Sequence, residues 1–185
     1  MALSFPIHRA GRILRSGGVV AYPTEGVFGF GCIPDNVDAV IRILSIKKRD
    51  AASGLVIIAS DIEQLEDWVD LPETARLQSS AKQPVTWIVP ATPNVPYWIK
   101  GERPGLAVRI TSHPIASALC EAADSALVST SANIAGRPPA RSVHVLRRCF
   151  GRLVDCIVPG RCGQAAGPSE IRDLQTGKVL RPGTT

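Results

Sequence analysis

Leu55-Val56-Ile57-Ile58-Ala59 is an unbroken apolar run between Gly54 and Ser60. A strand with one wetted face alternates apolar and polar residues, so a run without alternation suits a strand covered on both faces. That feature asks for a sheet with helices on either side. Val37, Val40, Ile41 and Leu44 fall at i, i+3, i+4 and i+7 behind Asp35 or Asn36 as cap, and predict one such helix. An amphipathic helix opens the chain through Ile7, Ala10, Ile13 and Leu14, with Ser4 as cap and Gly17-Gly18 as stop. Residues 19–22, 84–89 and 106–110 read as further strands, and 153–158 as another. Ser60 and Glu63 form a capping box that predicts a helix carrying Asp61, Glu66, Asp67 and Asp70 into solvent. A short helix from Pro72, one from Pro114 through Leu119, and an arginine-rich one capped by Ser142 complete the helical set. Residues 171–173 and 179–181 flank Gln175-Thr176-Gly177-Lys178 as a terminal hairpin. Interleaved helices and strands that end in a hairpin predict an α/β class with a mixed sheet, and 185 residues suit a single domain over 1–185.

Composition narrows the chemistry. No apolar run approaches the roughly 20 residues that span a membrane, and the start lacks a signal-peptide pattern, so the expectation is a cytoplasmic protein with no membrane partner. Five cysteines without a C-x-x-C pair and three scattered histidines predict reduced thiols and no metal site built by the protein. No G-x-x-x-x-G-K-[ST] occurs, and the G-x-x-G-x-G after Glu25 has the wrong spacing for a dinucleotide fingerprint. Its glycines permit close backbone approach to a ligand, or tight turns. The formal charge is +5, and the window from Arg137 to Arg161 holds six arginines against Asp155. Such a patch favours phosphate-bearing partners, nucleotide or RNA; a solvated helix face reads equally well.

Three places carry candidate site residues. The apolar run Leu127-Val128 ends in Ser129-Thr130-Ser131-Ala132-Asn133, and this density of hydroxyls and amide either grips a small polar ligand or simply makes a turn. Lys47 and Arg49 stand at a helix end, where basic charge complements the dipole by at most about 1 kcal/mol, or where both act as a phosphate clamp. As exposed helix-end charges they are expected to be dispensable for folding. Arg109 interrupts an apolar strand, so it leaves at a sheet edge or meets an anion in a cleft. A loop with Pro90, Pro93, Pro96 and Pro104 holds Lys100 and Arg103, has too many prolines for regular structure, and is long enough to be a lid.

Pro23-Thr24-Glu25 with its glycines, Lys47-x-Arg49, Pro84-x-Thr86, Val108-Arg109, Ser129-Thr130-Ser131-x-Asn133 and Pro168-Ser169-Glu170-Ile171 closing on Arg181 occur in this order. Together they resemble the YrdC/TsaC family of threonylcarbamoyl-AMP synthases, in its short single-domain bacterial form. The resemblance implies a YrdC-like fold, a twisted mixed sheet flanked by helices with a basic concave cleft. It implies synthesis of L-threonylcarbamoyladenylate and diphosphate from L-threonine, bicarbonate or CO2, and ATP, with Mg2+ held by the phosphates and not by the protein. The product would pass to the complex that transfers the threonylcarbamoyl group to tRNA, and tRNA or double-stranded RNA is a possible partner. Lys47 and Arg49 would hold triphosphate and carbamate, Ser131 and Asn133 would close the site, and Thr24 and Arg109 would hold threonine and the carboxylate or bicarbonate. Thr86, Ser129, Ser169 and Arg181 would line the nucleotide. Where similar proteins have Pro-Gly before Pro84, this chain has Lys82-Gln83, so the turn there must be reshaped. The alternative function is a non-catalytic RNA-binding or RNA-maturation factor. Of the arginine window, Arg141, Arg148 and Arg152 are expected on a helix stripe outside the cleft, away from a buried Val145 and Leu146.

Overall fold

The computed structural model describes residues 4–72, 75–165 and 167–183. Among them, nine strands form one mixed sheet: β1 (Val20–Pro23), β2 (Phe28–Cys32), β3 (Val56–Ala59), β4 (Val85–Val89), β5 (Leu106–Ile110), β6 (Leu127–Ser131), β7 (Cys156–Ile157), β8 (Glu170–Asp173) and β9 (Val179–Arg181). Their order is β7-β1-β2-β6-β3-β5-β4-β8-β9. The β1–β7, β3–β5 and β4–β8 pairs are parallel and the others antiparallel, including the β8–β9 hairpin. Among the same residues five α-helices flank the sheet: α1 (Ser4–Arg15), α2 (Val37–Lys47), α3 (Tyr97–Lys100), α4 (Pro114–Ala123) and α5 (Val143–Phe150).

The apolar runs are unbroken because both sheet faces are covered. Val20, Tyr22, Ile58 and Leu127 pack with Leu14 of α1 and Leu119 of α4. Their chain neighbours Val19, Ala21, Ile57 and Val128 pack on the other face with Val40 and Ile43 of α2 and with Leu146 and Phe150 of α5. Local caps act as the sequence requires: Asn36 Oδ1 accepts from the Ala39 N–H at 2.9 Å, and Ser142 Oγ from Val145 N–H at 3.3 Å.

Several expectations are corrected. The Ser60 capping box starts no α-helix; Asp61 Oδ1 takes the Gln64 N–H and only a 3-10 turn, Glu63–Leu65, forms before Val69 pairs with Ala91. The helix from Pro72 runs onto residues 73–74, outside the described residues, and 75–80 are not helical. The strand over 153–158 shrinks to Cys156–Ile157, because Asp155 is drawn off to bond Val19 N–H and Arg42. The stretch after Glu25, whose glycines allowed either tight turns or close approach to a ligand, forms strand β2 and not turns over 28–32, with Phe28, Phe30 and Cys32 in the core and glycines between them. The proline-rich segment contains α3 and is docked: Leu55 N–H donates to Ile99 O at 2.8 Å and Glu102 N–H to Ala52 O at 3.0 Å. Around Lys82-Gln83 the missing glycine is replaced by a serine-held turn, Gln83 N–H donating to Ser80 Oγ at 3.1 Å.

Candidate active site

Side-chain alternation on β6 sends Val128 to the α2 face and Ser129 and Ser131 to the other, beyond the reach of α1 and α4. A cleft of about 660 Å3 opens there, a volume ordinary for small-molecule sites. Gly29 of β2 lies opposite Ser131 and lines the same wall; a Cβ at this position would come within 3.3 Å of Thr24.

At one end Lys47 is 2% exposed and reaches across from α2. Its Nζ donates to Ser131 O, to Asn133 O at 3.1 Å and to Asn133 Oδ1 at 2.9 Å. Ser131 Oγ donates to that same Asn133 Oδ1 at 2.6 Å. Lys47 is therefore the internal post of the hydroxyl loop and not an exposed helix-end charge, which corrects the expectation that folding can spare it; it does not line the cleft surface, which corrects its expected role as a direct clamp on triphosphate and carbamate. Burial, then Arg49 nearby, pushes its pKa down to about 8.

Arg109 sits on β5 between β3 and β4, so it does not leave at an edge. Its Nη1 lies 3.8 Å from Glu25 Oε2, a buried carboxylate whose Oε1 accepts from Thr111 Oγ1 at 2.7 Å and Ser112 N–H at 3.2 Å. Burial acts to raise the Glu25 pKa, yet Arg109 and Thr111 outweigh it and hold the carboxyl below its ordinary value. Among the described residues Glu25 Oε2 and Arg109 Nε have no hydrogen-bond partner. Thr24 is buried beside them with its hydroxyl donating to Val27 O at 2.8 Å.

The remaining cations gather opposite. Arg49 Nη2 donates to Gly54 O at 2.9 Å and to Ser53 O at 3.3 Å, and Arg181 Nη2 to Ser169 O at 2.8 Å. Arg103, expected on a lid-like loop but with no role at the site, and Arg141 also line the cleft. For Arg141 this is a correction, since it precedes α5 and faces the cleft; Arg147, Arg148 and Arg152 are exposed elsewhere, and Val145 is exposed while Leu146 is buried. Thr86 does not reach the cleft surface either. It is fully buried and its hydroxyl pairs with Ser169 Oγ at 2.8 Å, so it acts through Ser169. A second hollow of about 680 Å3 between α1 and α2 is open to solvent, and its Arg42 is taken up by Asp155 at 2.6 Å.

A sheet face that presents hydroxyls at one end and several guanidiniums against one carboxylate at the other defines a protein built to hold a polyanion beside a small polar group. Residues 12–183 match the Sua5/YciO/YrdC family model, described as telomere recombination, and the chain belongs to that family. It is 51% identical over 179 residues to threonylcarbamoyl-AMP synthase of Nitrosococcus oceani, covering 95% of this chain and 96% of that protein. It is 45% identical over 179 residues to threonylcarbamoyl-AMP synthase of Cellvibrio japonicus, covering 95% of each. Among solved structures it resembles P. abyssi Sua5 complexed with L-threonine, with a TM-score of 0.85 and 34% identity over 96% of this chain. The match spans about half of that longer chain, 54%.

Proposed function

We propose that the chain is an L-threonylcarbamoyladenylate synthase, a nucleotidyltransferase acting for tRNA modification. The observation that carries the reading is the division of charge in the cleft: Arg109 is balanced by Glu25, while Arg49, Arg103 and Arg181 have no carboxylate partner among the described residues. A carboxylate or bicarbonate suits the first, a triphosphate the second. In the proposed reaction the threonine amine condenses with bicarbonate with loss of water, or adds to CO2 with loss of a proton, to form a carbamate, and a carbamate oxygen attacks the α-phosphorus of ATP. The bond to the β-phosphate oxygen breaks, and diphosphate leaves with its electron pair. Such a displacement needs alignment and cations for the developing charge, with no protein nucleophile.

Arg49 and Arg181 hold phosphates, Ser129 and Ser169 line the nucleotide, and Thr86 fixes Ser169. Ser131 and Asn133 close the site on the post that Lys47 provides, and the Lys47 charge acts on the phosphates from behind that loop. Arg109 and Thr24 receive the amino acid or bicarbonate. The cleft carboxylate Glu25 has Oε1 held by Thr111 and Ser112 and Oε2 facing Arg109, so Mg2+ would be brought in on the phosphates and ligated mainly by them and by water. The ion would supply charge neutralisation there. The product would be handed to the tRNA threonylcarbamoyl-transfer complex, in the cytoplasm; among the described residues no helix is long and apolar enough to cross a membrane.

Incubation with ATP, bicarbonate and single amino acids tests this. Diphosphate and an adenylate should appear with threonine, and far less with 2-aminobutyrate, because a site arranged to pair the hydroxyl leaves its own polar groups unpaired without it. Equal turnover of the two would contradict threonine selectivity. No diphosphate with any amino acid would favour the non-catalytic RNA-binding alternative.

A further inference from the structure

We propose that Arg103, whose surroundings make it a partner of Arg49, is a phosphate-binding residue for the diphosphate portion of ATP. The inference rests on the synthase reading above. Arg49 and Arg103 hang on one short piece of backbone: Arg49 Nη2 on Ser53 O and Gly54 O, Arg103 Nη1 on the next carbonyl, Leu55 O, at 3.4 Å. Two glycines force this approach. Gly54 has φ +61 and a Cβ there would stand 2.4 Å from Lys100 O; Gly101 has φ +65 and a Cβ there would stand 2.4 Å from Ala52 O. The chain after α3 is thereby pressed onto the turn after α2, and both guanidiniums enter the cleft.

The arrangement is costly without an anion. Burial, then Arg49 and Arg181, lowers the Arg103 pKa, and burial, then Arg109 and Arg49, lowers that of Arg181. The carboxylates that form ion pairs among the described residues are engaged by Arg42, Arg109 and Arg172. Like charges crowded into a half-buried site and left unpaired call for a ligand of high negative charge density. The diphosphate portion of ATP is that ligand, and the same contacts stabilise it as the leaving group.

Binding of inorganic diphosphate and of ATP, each alone, should be titrated calorimetrically for the wild type, Arg103→Gln, Arg103→Lys and Arg49→Gln, with melting temperatures of the ligand-free proteins. The expected result is a loss of diphosphate affinity of roughly tenfold to a hundredfold in Arg103→Gln, partly recovered in Arg103→Lys. The ligand-free melting temperature should be unchanged or higher, because a repulsive charge has gone, and the threonine KM at saturating ATP should hold. Diphosphate affinity within about twofold of wild type would overturn the assignment. A lower ligand-free melting temperature with weakened threonine binding would likewise overturn it and make Arg103 structural. Wild type that binds neither ATP nor diphosphate would overturn the synthase reading itself, and this inference with it.

Discussion

At the scale of single residues, Lys47 shows how far a side chain's meaning depends on what it reaches. It has the sequence signature of a helix-terminal cation, yet it is buried and donates hydrogen bonds to Ser131 O, Asn133 O and Asn133 Oδ1. Lys47→Ala strands those buried oxygens and opens a cavity, so it should cost about 2–4 kcal/mol in a denaturant melt, whereas Arg49→Ala should stay within about 1 kcal/mol. Equal stability of the two variants would contradict the post role. The pH dependence follows from the pKa lowered from 10.5 to about 8. Between those values the unfolded chain binds more protons at this site than the native one, so its contribution to stability rises with pH across that window. Phosphate binding runs the other way: ATP affinity should fall above about pH 8 as the ammonium is lost, and Lys47→Arg, if folded, should flatten that fall. A wild-type ATP affinity that does not change between about pH 7 and 9.5 would contradict it.

Secondary-structure elements separate what is written locally from what is not. Helices α2 and α5 were legible because a cap and a 3.6-residue period are local properties, and the apolar runs announced a sheet covered on both faces. Strand β2 was hidden because alternate glycines imitate a turn; Gly31 is small because a Cβ would meet Tyr22 at 2.7 Å, and Gly29 because the cleft wall runs there. The candidate site divides in the same way. Thr24, Arg49, Arg109, Ser129, Ser131, Asn133, Ser169 and Arg181 line one cleft and were all named from motifs. Glu25 as counter-ion, Arg103 and Arg141 were not, since their roles arise from contacts between distant segments that no spacing rule encodes. The docking of α3 makes a prediction at this scale: Gly101→Ala must place a Cβ on Ala52 O at a positive φ, and should destabilise by about 1–3 kcal/mol. It should also weaken ATP binding through Arg103. Wild-type melting with wild-type ATP affinity would mean that the approach of these segments is not needed.

Over the whole molecule, two groups of arginines have different expected work. Arg49, Arg103, Arg109, Arg141 and Arg181 line the cleft, while Arg147, Arg148 and Arg152 are exposed on and just after α5. The second set does not line the cleft, so Arg148→Glu with Arg152→Glu should leave adenylate synthesis from free substrates near wild type and lower any tRNA affinity, with a shallower salt dependence. Loss of ATP turnover in that double variant would place α5 in the active site. In the proposed reaction the Arg109–Glu25 pair and the guanidiniums of Arg49, Arg103 and Arg181 together join bicarbonate carbon, threonine and AMP. The most direct measurement follows isotopically labelled bicarbonate carbon in the presence of threonine and ATP. Label should appear in a threonine-containing adenylate, formed one-for-one with diphosphate and abolished by Arg49→Gln. Diphosphate released with no label in the adenylate, or labelled adenylate formed equally well by Arg49→Gln, would contradict that reaction.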